Sequence, residues 1–132
     1  IDPLFILEHS DFEPIRLARK INDEKTEYVV NKILDLDFKS IIIFGATYKP
    51  NSDDTRHSPS LIVARKLRKH GLDVTFCEPN VKEDNIEGFS NNNFKELINR
   101  ESLFIIAQKH DCFYENRELF KNKNVLDFVE YS

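Results

Sequence analysis

The sequence has no methionine or tryptophan and contains only 3 glycines and 2 cysteines among its 132 residues. The two cysteines, Cys77 and Cys112, show neither CxxC nor metal-ligand spacing, and we expect no metal site. Sparse cysteine is typical of a reducing compartment, where disulfides are rare. We therefore expect a cytoplasmic protein whose two thiols are reduced and structural.

No basic stripe and no long apolar run interrupt the mixed composition. The formal net charge is −4, with acidic and basic residues interspersed, which argues against a nucleic-acid partner. Neither a membrane-spanning run nor a signal-peptide pattern occurs, so we expect no membrane association. The length suits one domain with a small appendage, and the start at Ile1-Asp2-Pro3 without methionine suggests a piece of a longer protein.

Four short apolar segments predict strands, at residues 41–45, 74–77, 103–107 and 125–129. Helices are predicted between them over 59–70, around 94–98 and near 114–120, whereas 80–92 is predicted to be a polar loop. Strands that alternate with helices indicate an α/β fold, with a parallel sheet flanked by helices.

A long helix is predicted before the sheet, from Pro14 to about Leu36. Its apolar positions follow helical spacing, but residues 22–27 are polar on every face. That stretch is either a solvated turn or a break between two helices. Alternatively, the helix crosses between domains or subunits with a ligand or partner at its polar centre.

The most informative segment is the loop between the first strand and the 59–70 helix, residues 45–58, which we call the motif loop. The dinucleotide fingerprint G-x-G-x-x-G is absent, and only Gly45 stands where its first glycine would be. The loop instead carries Lys49 and Arg56, whose charges can meet phosphate together with a helix N-terminus. Ser58 is the expected N-cap of that helix, and Pro59 its first residue.

Other interpretations of these charges stay open from the residues alone. The motif loop could be a surface loop whose ions pair with each other in solvent, although Pro50 stiffens it. Asp53 and Asp54 could orient the cations or cap the helix. Glu78, at the end of the second strand, could meet a ribose hydroxyl or merely end the strand.

The motif loop with Pro59, GATYKPNSDDTRHSP, resembles the G-x-x-[FY]-K-P-n-x-D-D-x-R-x-S-P signature of the UDP-glucose/GDP-mannose dehydrogenase family. Residues 18–30 are similar to the helix that follows the active-site segment of this family, and residues 1–5 to the end of that segment. The resemblance implies a Rossmann-like UDP-sugar-binding domain over residues 39–132. Residues 1–38 would be an opening segment and half of a central helix that forms a homodimer or higher homo-oligomer.

The resemblance also implies roles for individual residues. Asp2 matches the aspartate that activates water near the catalytic thioester, and Tyr48 and Lys49 match contacts to the UDP-sugar. Arg56 matches the arginine that reaches toward NAD. The nucleophilic cysteine would lie four residues before Asp2, outside this chain. Some members of the family have an arginine after the last strand that holds substrate, and residues 126–130 have none, which leaves that substrate contact open.

The implied function is part of an NAD-dependent nucleotide-sugar 6-dehydrogenase, inactive on its own and feeding cell-surface polysaccharide synthesis. An apolar residue before Asp2 resembles the sequences of the family branch that acts on UDP-N-acetylhexosamines more than those of UDP-glucose 6-dehydrogenases. The expected substrate is therefore UDP-N-acetylmannosamine. The alternatives are a UDP-glucose 6-dehydrogenase, a non-catalytic nucleotide-binding module, and an assembly element in which the helix pairs subunits.

Overall fold

The computed structural model of the protein describes residues 26–129. In chain order the elements are α1 (Thr26–Asp35), β1 (Ser40–Phe44), α2 (Pro59–Lys69), β2 (Asp73–Cys77), β3 (Asn85–Ile86), β4 (Phe89–Asn91), α3 (Phe94–Leu97), β5 (Leu103–Ile106), α4 (Asp111–Glu115), a 3-10 helix (Arg117–Phe120) and β6 (Asn124–Asp127).

The strands form one sheet in the order β3-β4-β2-β1-β5-β6. β1 lies at its centre, paired in parallel with β2 on one side and with β5 on the other. β6 and β4 extend the parallel sheet outward, and β3 alone runs antiparallel, at the β4 edge. The expected parallel sheet with helical cover is confirmed.

One face of the sheet is covered by α1 and α2. Ile41 and Ile43 of β1 pack there in the same core as Val29 of α1 and Leu61 of α2. The two helices are also tied at their surface, where Lys66 Nζ lies 2.6 Å from Glu27 Oε1. Because α2 follows the motif loop directly, this packing fixes the far end of the loop.

Five phenylalanines pack together in the core on the opposite face of the sheet. The ring of Phe44 contacts Phe94, Phe104, Phe113 and Phe120 edge-on, at centroid distances of 4.9–5.6 Å. Edge-to-face geometry is favourable for aromatic rings and adds to the free energy of burial. The cluster anchors the last residue of β1, just before the motif loop.

The prediction of a polar loop over residues 80–92 is wrong. The chain there forms the β3–β4 hairpin, and Ile86 and Phe89 are buried. The ring of Phe89 packs on Phe76 at 5.4 Å and lies under the Arg68 guanidinium at 3.7 Å. These partners come from β2 and α2, so the hairpin depends on contacts that are distant in sequence.

The helix predictions are corrected in detail. The helix predicted near 114–120 is instead α4, which starts earlier, followed by the 3-10 helix. The predicted long helix is helical over Thr26–Asp35, and its part from 14 to 25 lies outside the described residues. Of the polar stretch at 22–27, Thr26 and Glu27 are helical, and residues 22–25 also lie outside the described residues. Gly71 follows α2 with φ +86°, as expected for a helix stop.

Gly45 lies where the chain after β1 comes close to the residues that follow β5. A Cβ at this position would lie 2.6 Å from Gln108 Cβ and 2.8 Å from the Gln108 nitrogen, and φ is +112°. Gly71 also has a positive φ, of +86°, but a Cβ there would meet nothing within 4 Å. The two glycines therefore separate backbone strain from steric overlap.

We predict that Gly45→Ala destabilises the fold more than Gly71→Ala. The left-handed conformation alone costs alanine about 1–2 kcal/mol, and this is the expected loss at Gly71. The overlap with Gln108 backbone adds about 1–3 kcal/mol at Gly45. Urea unfolding followed by circular dichroism measures both variants, and equal losses would contradict the close approach.

Candidate functional site

The motif loop lies at the carboxyl end of β1, beside the end of β5. The chain passes from β1 to β2 on one side, and after β4 it crosses to β5 on the other side. Such a change of direction is the point where open α/β sheets bind ligands. The sheet therefore brings the motif loop, the end of β2 and the β5–α4 connection to one edge.

Gln108, two residues after β5, binds the motif loop from one side. Its Nε2 donates to the carbonyl oxygens of Thr47 and Tyr48, both at 3.1 Å. Its Oε1 accepts a bond from the Lys109 nitrogen at 2.9 Å. The amide thus joins the β5–α4 connection to the backbone of the residues that precede Lys49.

Glu78, directly after β2, holds the motif loop from the other side. The side chain is fully buried. Its Oε1 accepts the Ala46 N–H at 2.7 Å, and its Oε2 accepts the Asn80 N–H at 3.0 Å. Both carboxylate oxygens are therefore bound to protein donors, which favours a structural role for Glu78 over contact with a ribose.

His110 completes the arrangement from the start of α4. The side chain is fully buried, its Nδ1 accepts the Asn51 N–H at 2.9 Å, and its Nε2 lies 2.9 Å from Glu78 Oε1. No motif or spacing in the sequence singles out this histidine. The missing signal was strand order, since His110 follows β5, the neighbour of β1.

The backbone between Ala46 and Asn51 is thus bound, while the two expected substrate contacts face outward. Tyr48 is 54% exposed, and Lys49 is also exposed. Their backbone is held by the Tyr48 N–H, which donates to the Asp54 carbonyl at 3.1 Å, and by the Lys49 carbonyl, which accepts from Thr47 Oγ1 at 2.7 Å. The structure therefore brings Tyr48 and Lys49 together on a fixed backbone.

Arg56 is paired with Asp54 within the motif loop. Its Nε and Nη2 donate to the two Asp54 carboxylate oxygens at 2.9 and 2.8 Å, and the Arg56 N–H adds a bond at 3.0 Å. These bonds lower the pKa of Asp54 from 3.8 to about 2, the side-chain bond being the larger cause. The expectation that an acid orients a loop cation is met at Asp54.

The Asp54–Arg56 pair is exposed, with 82% of the arginine side chain and 43% of the aspartate side chain accessible. Exposed pairs contribute little to stability, so this one serves orientation. The two side-chain bonds use Nε and Nη2, and Nη1 can still donate to an oxygen of a bound anion.

The N-terminus of α2 closes the motif loop. Ser58 is the N-cap residue and Pro59 follows at the first turn, as expected. The Ser58 hydroxyl makes no capping bond and lies 2.8 Å from the Ser60 hydroxyl instead. The helix therefore adds its partial positive charge to this edge of the sheet without a side-chain cap.

A groove of about 710 Å³ lies at the same edge, beyond β2. Its lining includes Glu83, Asp84 and Glu96, against the single lysine Lys82. Carboxylates repel a diphosphate, whereas the motif loop offers Lys49 and Arg56. The charges therefore favour the motif loop as the place where an anionic ligand binds.

The cysteines do not form a reactive centre within residues 26–129. Burial raises the pKa of the Cys77 thiol above its ordinary value and also raises that of half-buried Cys112. Both are free thiols. A raised pKa disfavours the thiolate that a nucleophile needs, in line with structural roles.

Three other sequence expectations concern metal, membrane and Asp2. Over residues 26–129, His, Cys, Asp and Glu form no cluster of three or more that could hold a metal ion. In the same range, none of the helices is long and apolar enough to span a bilayer. Asp2, the expected catalytic residue, lies outside the described residues.

Comparison with known proteins agrees with this geometry. Residues 42–131 match the model of the UDP-binding domain of the UDP-glucose/GDP-mannose dehydrogenase family. The UDP-N-acetyl-D-mannosamine dehydrogenase of Methanocaldococcus jannaschii is 37% identical over an alignment 134 residues long, which covers 98% of this chain and 30% of that protein. The enzyme of the same name from Methanococcus maripaludis is 31% identical over an alignment 148 residues long, which covers 96% of this chain and 34% of the relative.

The fold also occurs in a solved structure, a GDP-mannose dehydrogenase from Pseudomonas aeruginosa. The TM-score is 0.69 at 15% identity, and the match covers 82% of this chain and 28% of the other. At this identity the likeness concerns the fold alone. The chain spans about a third of the length of the two curated relatives.

We predict that Asp54 titrates near pH 2 in a carbon-13 NMR titration of the chain, as its lowered pKa implies. The pKa is depressed on folding, so the Asp54–Arg56 pair is fully formed above pH 3.8 and is lost as the pH falls through about 2. Arg56→Ala should return the midpoint toward 3.8. Arg65→Ala, which removes an arginine paired with Glu87, is the control and should leave it unchanged. A midpoint near 3.8 in the unaltered chain would contradict the pairing.

Proposed function

The chain belongs to the UDP-glucose/GDP-mannose dehydrogenase family, and on that premise we propose that it is the nucleotide-binding part of an NAD-dependent UDP-sugar 6-dehydrogenase. The observation that carries the proposal is the motif loop, whose backbone is bound from Ala46 to Asn51 while Lys49 remains exposed. A cation carried on a hydrogen-bonded backbone at a switch point suits a diphosphate, because little backbone freedom is lost on binding.

Each site residue has a proposed role. Tyr48 and Lys49 contact the UDP-sugar, with the ammonium of Lys49 on the diphosphate. Arg56, oriented by Asp54, reaches toward NAD. Asp2 activates the water that attacks the thioester, which requires hydrogen-bond reach to that water.

The proposed reaction oxidises the C6 alcohol of the sugar to a carboxylate, and NAD+, when bound, supplies the hydride acceptor in both oxidation steps. The raised pKa values of Cys77 and Cys112 argue against either thiol as nucleophile. The family motif assigns the nucleophile to a cysteine four residues before Asp2, outside these 132 residues, and we expect the chain alone to be inactive. We propose that the whole enzyme binds NAD.

The sugar and the assembly are also proposed. The names of the two curated relatives support UDP-N-acetylmannosamine as substrate, with UDP-glucose as the alternative. We place the nucleotide-binding domain at 39–132, which agrees with a family match that begins at residue 42. Residues 1–38 would supply half of a helix that pairs subunits in a cytoplasmic homodimer or larger oligomer. The product would enter cell-surface polysaccharide synthesis.

We predict that the 132-residue chain binds UDP and that Lys49→Ala weakens binding about tenfold or more, since a charge-assisted hydrogen bond is lost. Isothermal titration calorimetry measures the affinity. Lys69→Ala is the matched control, because it removes the same charge from an exposed position at the end of α2.

Equal affinities for the unaltered chain and both lysine variants would show that the motif loop does not hold the diphosphate. Absence of UDP binding by the unaltered chain at millimolar concentration would contradict a nucleotide site built from these residues alone.

A further inference from the structure

Glu78 and His110 form a buried pair beneath the segment that carries Tyr48 and Lys49. Glu78 Oε1 accepts the N–H of Ala46 at 2.7 Å, before this segment, and His110 Nδ1 accepts the N–H of Asn51 at 2.9 Å, after it. The two side chains are joined at 2.9 Å through His110 Nε2. Both ends of the segment are therefore tied to one buried pair.

The bonds of His110 determine where its proton lies. Nδ1 accepts a backbone N–H, so this nitrogen carries no proton. Nε2 is then the protonated nitrogen and donates to the Glu78 carboxylate. Thr47 Oγ1 lies 3.4 Å from the same nitrogen and gives its own proton to the Lys49 carbonyl at 2.7 Å. The imidazole thus reaches the backbone of Lys49 through one hydroxyl.

We propose that His110 is a positioning residue for the nucleotide, acting as a neutral imidazole protonated on Nε2. It fixes the backbone from Thr47 to Asn51 so that Lys49 is aimed at the diphosphate. The inference rests on the proposed function, since it concerns the same ligand. His110 is fully buried and acts through the motif loop, without touching the ligand.

A histidine meets both requirements of this position at once. The site needs an acceptor for the Asn51 N–H and, across a rigid ring, a donor to Glu78. The carboxamide of asparagine can replace Nδ1, and that of glutamine can replace Nε2, but neither reaches both partners. The two substitutions therefore break the two bonds separately.

The test measures UDP affinity by calorimetry and amide hydrogen exchange by NMR in the 132-residue chain. His110→Gln should expose the Asn51 amide to fast exchange, whereas His110→Asn should retain more of its protection. Each should weaken UDP binding about tenfold, the effect expected when a buried hydrogen bond is lost. His70→Gln and His70→Asn are the matched controls at an exposed histidine and should change neither readout.

The possible outcomes separate this inference from the proposed function. If the unaltered chain binds no UDP, the proposed nucleotide site built from these residues alone fails, and Asn51 exchange still decides whether His110 holds the loop. If it binds UDP and both His110 variants bind equally well, the positioning role is overturned while the nucleotide site stands.

Nitrogen-15 NMR of the imidazole provides a test that needs no folded variant. We expect an unprotonated Nδ1 and a protonated Nε2 on His110 in the unaltered chain. A proton on Nδ1, or a rapidly exchanging Asn51 amide, would overturn it even if both His110 variants fail to fold.

Discussion

The buried carboxylate of Glu78 is the constraint on which the site depends. A buried carboxylate without partners costs several kcal/mol, so its partners must be in place whenever the sheet is folded. Those partners are the N–H groups of Ala46 and Asn80 and the Nε2–H of His110. If the motif loop left its place, this buried carboxylate would lose one of its three donors, the Ala46 N–H, and the folded sheet therefore stabilises the bound position of the loop.

The sheet makes this arrangement possible through its strand order. Because β1 lies between β2 and β5, the residues after all three strands meet at one edge. The phenylalanine cluster around Phe44 holds the end of β1, and Gly45 allows Gln108 to approach the chain where it leaves the strand. Core packing and site geometry are thus joined at two consecutive residues. What remains exposed at this edge is a small set of polar side chains on a rigid backbone, an arrangement suited to ligand binding.

Much of the fold could be predicted from local sequence. An apolar run marks the strand that holds Ile41–Phe44, and its predicted ends agree with the structure within a residue or two. The same holds for α2, whose start is marked by Pro59 and whose end is marked by Gly71. The β3–β4 hairpin was missed because only Ile86 and Phe89 are apolar there, and their partners lie in other elements.

The site was predictable only in part, for the same reason. The charges of Lys49, Asp54 and Arg56 were visible in one loop, whereas the pairing of Glu78 with His110 joins residues 32 positions apart. Chain spacing cannot show that pairing, because it depends on which strands are neighbours. From the sequence alone the role of Glu78 is ambiguous, and nothing points to His110. The roles proposed for Asp2, Tyr48, Lys49 and Arg56 continue to depend on the family motif.

A crystal structure of the 132-residue chain with UDP tests most directly whether the motif loop holds the nucleotide. We expect the diphosphate at the motif loop, within hydrogen-bond distance of Lys49 Nζ, with the bonds from Ala46 to Glu78 and from Asn51 to His110 unchanged. A structure with UDP bound elsewhere, for example in the acidic groove beyond β2, and with Lys49 directed into solvent would contradict it.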